Sequence, residues 1–252
     1  MKELISIVVP VYNAGRFIEE TMDCVRRQTY ENWELLLVND KSSDNSAEII
    51  ESYIEEKQEA RIRLINQPEN RGAARARNRG VQEAKGRYIA YLDADDLWEP
   101  KKLELEVGFL SEKQAAFAFT GYEFANELGE GTGKIVHVPE TLTYKQALCN
   151  TTIFTSTVMF DTSLIDKSLL EMPVIKSEDT ALWWKVLRNG YTAYGLDKNL
   201  VKYRRSENTL SSDKVEALRR IWNLYRKAEG IGIFRSAIYF CFWAFRAVKR
   251  RV

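Results

Sequence analysis

The 252-residue sequence predicts an α/β fold, a mostly parallel sheet flanked by helices and followed by a C-terminal amphipathic helical tail. Strand-like and helix-like runs alternate through the first half, which is the pattern of right-handed βαβ units. The strand-like runs are continuously apolar, as in strands that are covered on both faces. Polar residues directly follow several of these runs, at the strand ends where open α/β sheets usually bind ligands.

Four strands are predicted in the first half, over residues 4–11, 33–40, 61–66 and 88–92. The first strand ends in a turn, and the helix after it has an apolar face at helical spacing, formed by Phe17, Ile18, Met22 and Val25. A second helix runs to about residue 57, after a stretch with several capping side chains. A third helix, rich in Ala and Arg, follows the turn at residues 70–72 and ends at Gly86.

Three carboxylates lie within four positions at the end of the fourth strand: Asp93, Asp95 and Asp96. In an extended backbone, Asp93 and Asp95 point to the same side. Neighbouring carboxylates repel one another unless a cation or a phosphate-bound metal neutralises them. The alternative is a solvated turn with a helix cap, since Asp is common in both.

The strand ends of the first half should meet at one rim of the sheet. This rim would offer an aromatic ring, amides and a carboxylate for a base and ribose, and acids for a metal; the residues are Tyr12, Asn13, Asp40, Asn70, Gly72, Asp93 and Asp95. Arg77 lies about two turns into its helix, where a cation could reach a diphosphate. Neither a G-x-G-x-x-G nor a Walker A loop is present, which argues against dehydrogenases and kinase-type NTPases.

The second half predicts a helix over residues 101–113, a strand over 115–125 and a hairpin partner over 134–138. Residues 154–160 predict a strand whose hydroxyls either line an acceptor pocket or belong to an ordinary Thr-rich strand. Two short strands are predicted over 190–195 and 199–204. Glu178 and Asp179 begin a helix, where acids complement the helix dipole.

Residues 231–252 combine six aromatic side chains with a basic end and no acid. The apolar run is shorter than the roughly 20 residues that span a bilayer. The pattern favours an amphipathic helix lying on an anionic leaflet over a terminal helix packed on the domain or on a second copy.

Global composition excludes one class of partner. With 37 basic and 36 acidic residues, no excess charge indicates nucleic-acid binding. The three cysteines are widely spaced, as reduced thiols of a cytosolic protein would be. Because the chain enters a strand almost at once, no signal peptide is expected.

Four pieces of the first half, in order and with suitable gaps, resemble the family 2 glycosyltransferases of GT-A (Rossmann-like) fold. They are IVVPVYN at 7–13, VNDKSSD at 38–44, NRG at 70–72 with ARN at 76–78, and LDADD at 92–96. One departure is Asn39, where the family often has Asp. The resemblance implies transfer of a sugar from a nucleotide-diphosphate sugar.

The resemblance also implies roles for individual residues. Asp40 would contact the base, Asp93 the ribose and sugar, and Asp95 a divalent Mn²⁺ or Mg²⁺. The full expected nucleotide-binding set is Pro10, Tyr12, Asn13, Asp40, Asn70, Gly72, Arg77, Asp93 and Ala94.

On the acceptor side, the family carries a Glu-Asp pair at the start of such a helix, which implies Asp179 as general base and Glu178 as the residue that orients it or touches the acceptor. Trp183 and Trp184 would wall the cleft, although one of them could be core. Asp96 is expected behind the metal ligand or on the acceptor side.

Residues 203–211 resemble a family loop in which a histidine contacts the metal or diphosphate. Ser206 occupies that position here, which leaves a third protein ligand in doubt, and Arg204 or Arg205 would serve as a phosphate cation. The loop to Asp213 is expected to be mobile and to order over bound nucleotide.

The resulting prediction is an inverting, metal-dependent glycosyltransferase that uses a UDP-sugar. Its acceptor would be a saccharide, expected to be lipid-linked, in bacterial surface polysaccharide biosynthesis at the inner face of the cell membrane. The expected catalytic domain is 1–212, with a nucleotide-binding half (1–98) and an acceptor-binding half (99–212), and 213–252 form the membrane-associating tail. The alternatives are a catalytically silent nucleotide-sugar-binding scaffold and, less favoured, a sugar nucleotidyltransferase.

Overall fold

The computed structural model describes residues 2–150, 152–205 and 214–249. The first half follows the predicted alternation, with strands β1 Ile5–Val11, β2 Trp33–Asn39, β3 Ile62–Asn66 and β4 Tyr88–Tyr91, and helices α1 Ile18–Arg26, α2 Ser46–Lys57 and α3 Ala73–Glu83. The second half contains β5 Leu97–Trp98, α4 Lys102–Lys113, β6 Phe117–Ala125, β7 Gly131–Val136, β8 Thr141–Leu142, α5 Tyr144–Leu148, β9 Val158–Asp161, α6 Glu178–Arg188, β10 Ala193–Arg204, α7 Lys214–Asn223 and α8 Ile233–Lys249.

Within these described ranges, ten strands form one sheet with the order β3-β2-β1-β4-β9-β6-β10-β5, to which β7 adds beside β6 and β8 beside β10. Pairing is parallel through β3, β2, β1 and β4 and again between β6 and β10. β9 lies antiparallel between β4 and β6, so that the sheet as a whole is mixed. The predicted α/β fold with a helix-flanked sheet is confirmed.

Register explains why the polar loops of the first half meet. Val11 at the end of β1 pairs with Asn39 at the end of β2, and Asn39 pairs with Asn66 at the end of β3. The three strands therefore end level, and the loops after them leave the sheet at one rim.

Two apolar layers cover the two faces of the sheet. One layer contains the buried side chains of α1, α2 and α4, and the other contains those of α3, α6 and the C-terminal helices. Gly80 lets α3 approach β1 closely, because a Cβ at this position would lie 2.3 Å from Val8 Cγ1. This contact fixes the helix that carries Arg77.

Two predicted elements of the second half differ from the structure. Thr155–Thr157 form a 3₁₀ turn, and the strand expected over 154–160 is reduced to β9. The two short strands expected over 190–204 are one strand, β10, because its pairing with β6 continues through register irregularities between Leu196 and Lys202. The predicted hairpin is confirmed, with β7 antiparallel to β6.

The C-terminal helices pack on the domain through aromatic side chains. Tyr225 stacks on Trp184 of α6 with ring centroids 5.2 Å apart, and its hydroxyl donates to the carbonyl oxygen of Leu148. Tyr239 and Trp243 of α8 contribute to the same layer, so the alternative of a terminal helix packed on the domain is correct for one face of α8.

The other face of α8 is exposed and apolar, and it is formed by Ile233, Phe234, Ile238, Phe242 and Phe245. Among the described residues, no helix has the length and apolar character needed to cross a membrane. The expectations for Ser206, for the loop to Asp213 and for the basic residues Arg250 and Arg251 fall outside the described residues.

Candidate active site

The loop after β1 is tied to the loop after β2 by Asn13. Its backbone has a positive φ of 50°, its N–H donates to Ser42 Oγ at 3.1 Å, and its Oδ1 accepts from the N–H of Ser43 at 2.8 Å. The side chain of Asn13 thus has a structural role in joining the two loops. Beside it the ring of Tyr12 is 54% exposed and is free to stack on a planar ligand.

Asp40, directly after β2, is buried beneath the turn at residues 70–72. Its Oδ2 accepts from the N–H of Gly72 at 2.7 Å, and its Oδ1 accepts from the N–H of Arg71 at 2.8 Å and from Gln67 at 2.9 Å. Gly72 has φ 85° and ψ 162°, a backbone conformation that is essentially restricted to glycine. Asp40 therefore holds the turn that presents Asn70, and its direct contact with a base stays a prediction.

Arg77 lies between two carboxylates from different parts of the chain. Its Nη2 donates to Asp93 Oδ1 at 2.6 Å, and its Nη1 donates to Glu178 Oε1 at 2.9 Å. Burial disfavours the charged guanidinium, but the charges of Asp93 and Glu178 outweigh burial and raise the pKa of Arg77. Both terminal nitrogens of Arg77 bind carboxylates of the chain, and its contact with a diphosphate stays a prediction.

Asp93 and Asp95 lie at the rim, whereas Asp96 points into the protein. Asp96 is fully buried and accepts from Ser156 Oγ at 2.5 Å and from the N–H of Arg204 at 3.1 Å. Burial and the charges of Asp95 and Asp93 raise the pKa of Asp96 well above its ordinary value. Of the two placements expected for Asp96, full burial argues against the acceptor side, and a place behind the metal ligand stays a prediction.

The environment of Asp95 suits a divalent cation. Burial and the negative charge of Asp93 raise the pKa of Asp95 to about 6, and a cation would relieve this repulsion. No group of three acidic, histidine or cysteine side chains in the described part of the chain is arranged to hold a metal. Mg²⁺ and similar ions commonly use one or two carboxylates together with substrate phosphates, so Asp95 with Asp93 beside it is a fitting donor set.

Glu178 and Asp179 begin α6, on the other side of Arg77 from Asp93. Ser177 before them has a positive φ of 59° and does not cap the helix with its side chain. Asp179 is partly buried, and its Oδ2 accepts from Thr155 Oγ1 at 3.2 Å. Burial raises the pKa of Glu178, an effect that Arg77 opposes and Asp179 reinforces. The structure therefore brings Glu178 and Asp179 to the acids after β4, with Arg77 as the link.

Both tryptophans expected at the cleft are core residues. Trp183 is 2% exposed and packs on Tyr91 of β4, with ring centroids 6.2 Å apart. Trp184 is 1% exposed and stacks on Tyr225. Two adjacent helical positions are buried because α6 lies between the sheet and the C-terminal helices.

The two arginines at the end of β10 have partners within the chain, and the role of Arg204 or Arg205 as a phosphate cation stays a prediction. Arg204 is 3% exposed, donates to Glu20 at 2.6 Å and lies over the ring of Phe17. Arg205 lies over the ring of Phe124, 4.2 Å from its centroid. Two buried nitrogen atoms of Arg204, Nε and Nη1, have no hydrogen bond among the described residues.

Two site contacts were missed at the level of sequence. Ser156 accepts from the N–H of Asp93 at 3.0 Å, which joins the 3₁₀ turn to the acids. The side chain of Asn78 bonds both the N–H and the carbonyl oxygen of Met172, at 2.7 and 2.8 Å, and anchors the segment before α6. The Thr-Ser-Thr run was the signal for the turn, whereas no local pattern indicated the Asn78 contact.

A family model described as "Glycosyl transferase family 2" matches residues 6–171. The glycosyltransferase TuaG of Bacillus subtilis (strain 168), named for teichuronic acid biosynthesis, is 40% identical over 252 residues, which cover 100% of this chain and 98% of TuaG. WfgD of Escherichia coli, named as a UDP-Glc:alpha-D-GlcNAc-diphosphoundecaprenol beta-1,3-glucosyltransferase, is 36% identical over 222 residues, 88% of this chain and 85% of WfgD.

Solved structures show the same fold at low sequence identity. The mannosyltransferase PcManGT from Pyrobaculum calidifontis, in complex with GDP-Man and Mn²⁺, aligns with a TM-score of 0.75 and 19% identity, over 95% of this chain and 70% of that chain. TarS 1-349 of S. aureus, in complex with UDP-GlcNAc, aligns with a TM-score of 0.71 and 20% identity, over 97% of this chain and 72% of that chain. These similarities confirm the GT-A architecture.

Proposed function

The chain belongs to glycosyl transferase family 2 and is a glycosyltransferase, and from this premise we propose that it transfers a sugar with inversion from a UDP-sugar to an acceptor hydroxyl. The observation that carries the proposal is that Arg77 bonds both Asp93 and Glu178, which brings the acids after β4 beside the acids that begin α6. One group suits the donor and its metal, and the other suits the acceptor.

The donor is assigned to the rim formed by the loops after β1, β2 and β4. The exposed ring of Tyr12 would stack on the base, while the turn held by Asp40 would present Asn70 and Gly72 to it. Asp93 would meet the ribose and sugar beside Ala94. A UDP-sugar is supported by the name of WfgD and by the UDP-GlcNAc bound to TarS.

Asp95 would hold Mn²⁺ or Mg²⁺, with Asp93 beside it. When bound, the metal would supply Lewis acidity toward the leaving diphosphate. The chain's own part is to place Asp95 near Asp93 at the rim, where burial and the charge of Asp93 disfavour ionisation of Asp95 and favour a cation.

Asp179 is the proposed general base. An inverting transfer needs a carboxylate within about 3 Å of the acceptor hydroxyl, so that it takes the proton while the oxygen attacks the anomeric carbon from the face opposite the diphosphate. Asp179 lies at the N-terminus of α6, where one oxygen is held by Thr155 and the other by the N–H of Thr180. Glu178 is tied to Arg77 and would orient the start of the helix.

The proposed acceptor is a lipid-linked saccharide of surface polysaccharide assembly, at the inner face of the cell membrane. It is supported by the name of WfgD, which specifies a diphosphoundecaprenol-linked acceptor, and by the exposed apolar face of α8. In this arrangement residues 1–98 serve the nucleotide, 99–212 serve the acceptor, and the C-terminal helices lie against the bilayer.

The test is transfer from a radiolabelled UDP-sugar to a lipid-linked saccharide, with Mn²⁺, by wild type, Asp179→Asn and Glu112→Gln as an exposed-carboxylate control. Asp179→Asn should lower kcat at least 100-fold with donor affinity unchanged, because the base contributes about 10²–10⁴-fold. The control should match wild type. Turnover by Asp179→Asn at the wild-type rate would refute the assignment of the base, and nucleotide binding without turnover by wild type would favour a silent scaffold.

A further inference from the structure

The 3₁₀ turn Thr155–Thr157 lies between the acids after β4 and the start of α6. All three of its hydroxyl side chains are buried. Ser156 serves the donor side, since its Oγ accepts from the N–H of Asp93 at 3.0 Å and donates to Asp96 at 2.5 Å. Its carbonyl oxygen accepts from Trp98 Nε1 at 2.7 Å, which fixes the turn against β5.

Thr155, one position earlier, serves the acceptor side. Its hydroxyl donates to Asp179 Oδ2 at 3.2 Å, and Asp179 Oδ1 accepts from the N–H of Thr180 at 2.6 Å. The second bond comes from the helix of Asp179 itself, so among the described residues only the Thr155 bond ties this carboxylate to a different element. Adjacent residues of one buried turn thus hold Asp93 and Asp179.

We propose that Thr155 is a positioning residue for the general base, which it holds at a fixed place relative to the donor acids. This inference rests on the proposed function of Asp179. A carboxylate offers about four acceptor positions, and the two bonds from Thr155 and Thr180 leave capacity for the acceptor hydroxyl. Fixing the carboxylate in this way favours a productive geometry over other rotamers.

The charged groups around Asp179 act on it in opposite directions, and loss of the Thr155 hydroxyl adds to these effects. Glu178 disfavours a second negative charge at the start of α6, whereas Arg77 and the dipole of α6 favour it. Asp93 lies beyond Arg77, to which it is bonded. A hydroxyl that donates to a carboxylate stabilises its ionised form, so a variant without the Thr155 hydroxyl should lose activity first at the acidic end of the pH profile.

The experiment compares Thr155→Val, Thr155→Ala and Thr155→Ser with Thr157→Val, in pH profiles of kcat and of kcat/KM. Thr157 is the matched control, because it is a buried threonine of the same turn whose hydroxyl bonds only the carbonyl oxygen of Phe154, and the N–H of Thr157 also bonds that oxygen. Valine should lower kcat about 10-fold and shift the acidic limb of the profile to higher pH, with the KM for the UDP-sugar unchanged. Serine should restore both, and Thr157→Val should match wild type.

Wild-type kcat and an unshifted acidic limb in Thr155→Val would overturn the proposal, as would equal impairment in Thr155→Ser. If Thr155→Val does not fold, as a thermal melt would show, the acidic limb of the pH profile of Thr155→Ala decides instead. The outcome is separable from that of the proposed function. An inactive Asp179→Asn beside an unaffected Thr155→Val refutes only the positioning role, whereas an active Asp179→Asn refutes the base itself.

Discussion

Arg77 Nη2 lies 2.6 Å from Asp93 Oδ1, and the same guanidinium donates to Glu178, 101 positions further along the chain. The arginine is 6% exposed, so this pairing is shielded from solvent. It joins the carboxylate proposed to meet the donor sugar to the helix that begins with the proposed base. Arg77 of α3 therefore links the donor-side acids to the start of α6, in addition to the turn Thr155–Thr157.

We expect Arg77→Met to destabilise the protein by about 1–3 kcal/mol, because it leaves two partly buried carboxylates, Asp93 and Glu178, without their cation. Arg77→Lys should recover part of the stability but little of the activity, since an ammonium cannot bond both carboxylates with the same fork geometry. Urea unfolding and sugar-transfer assays measure the two effects. Lysine that restores full activity would show that charge alone suffices.

The turn that carries Asn70 yields a second prediction. Gly72→Ala forces a side chain into a conformation reserved for glycine, at a cost of about 1–3 kcal/mol. It should also weaken UDP binding, because the N–H of residue 72 would no longer reach Asp40 correctly. Calorimetry with UDP and Mn²⁺ measures this. Gly108→Ala in α4 is the control and should stabilise by about 0.5–1 kcal/mol, since no atom lies within 4 Å of the new Cβ.

The strand ends could be predicted from sequence because each apolar run stops at a polar residue, and the carboxyl ends of parallel strands lie at one edge of the sheet. Asp40, Asn70, Asp93 and Asp95 met at one rim for this reason. The role of each side chain at this rim depends on partners that are far away in the sequence. No local pattern shows that the carboxylate of Asp40 accepts hydrogen bonds from the turn at 70–72, or that Arg77 binds Glu178.

The aromatic residues of α6 illustrate the same limit. Helical spacing places Trp183 and Trp184 about 100° apart, so burial of one predicts nothing about the other. Trp183 is buried because it packs on Tyr91 of the sheet, whereas Trp184 is buried because Tyr225, after α7, stacks on it. The packing of those helices could not be derived from the pattern of α6 alone.

Lys102 and Glu106 form an ion pair on α4 in which both side chains are fully buried. Lys102 also lies over the ring of Trp98, 4.0 Å from its centroid. We expect Lys102→Met to destabilise by about 3–5 kcal/mol, because Glu106 would remain buried without a partner. The double variant Lys102→Met with Glu106→Leu should recover most of this loss in urea unfolding. A double variant less stable than the single one would contradict this account.

The same pair predicts a pH dependence of stability. Burial raises the pKa of Glu106 to about 7, although Lys102 opposes the rise, and burial lowers the pKa of Lys102. The folded state therefore binds more protons at Glu106 than the unfolded state between about pH 4.5 and 7, so the free energy of unfolding should fall as pH rises through 7. Unfolding of wild type and Glu106→Gln at pH 6 and 8 measures it. If the free energy of unfolding changes equally between pH 6 and 8 in both proteins, groups other than Glu106 cause the change.

The exposed face of α8 gives the last prediction. Phe234 is 85% exposed and Phe245 71% exposed, on a helix that is held to the domain by its opposite face. Burying such rings in a bilayer is favourable by about 25 cal/mol per Å² of apolar surface, and Arg246 on the same helix adds attraction to anionic lipid. We expect Phe234→Ser with Phe245→Ser to lower co-sedimentation with phosphatidylglycerol vesicles at least 10-fold while transfer to a lipid-free saccharide is unchanged. Leu128→Ser, which removes an equally exposed apolar side chain from the turn after β6, is the control and should leave vesicle binding intact. Equal sedimentation of the double variant and wild type would leave α8 as a packing helix only.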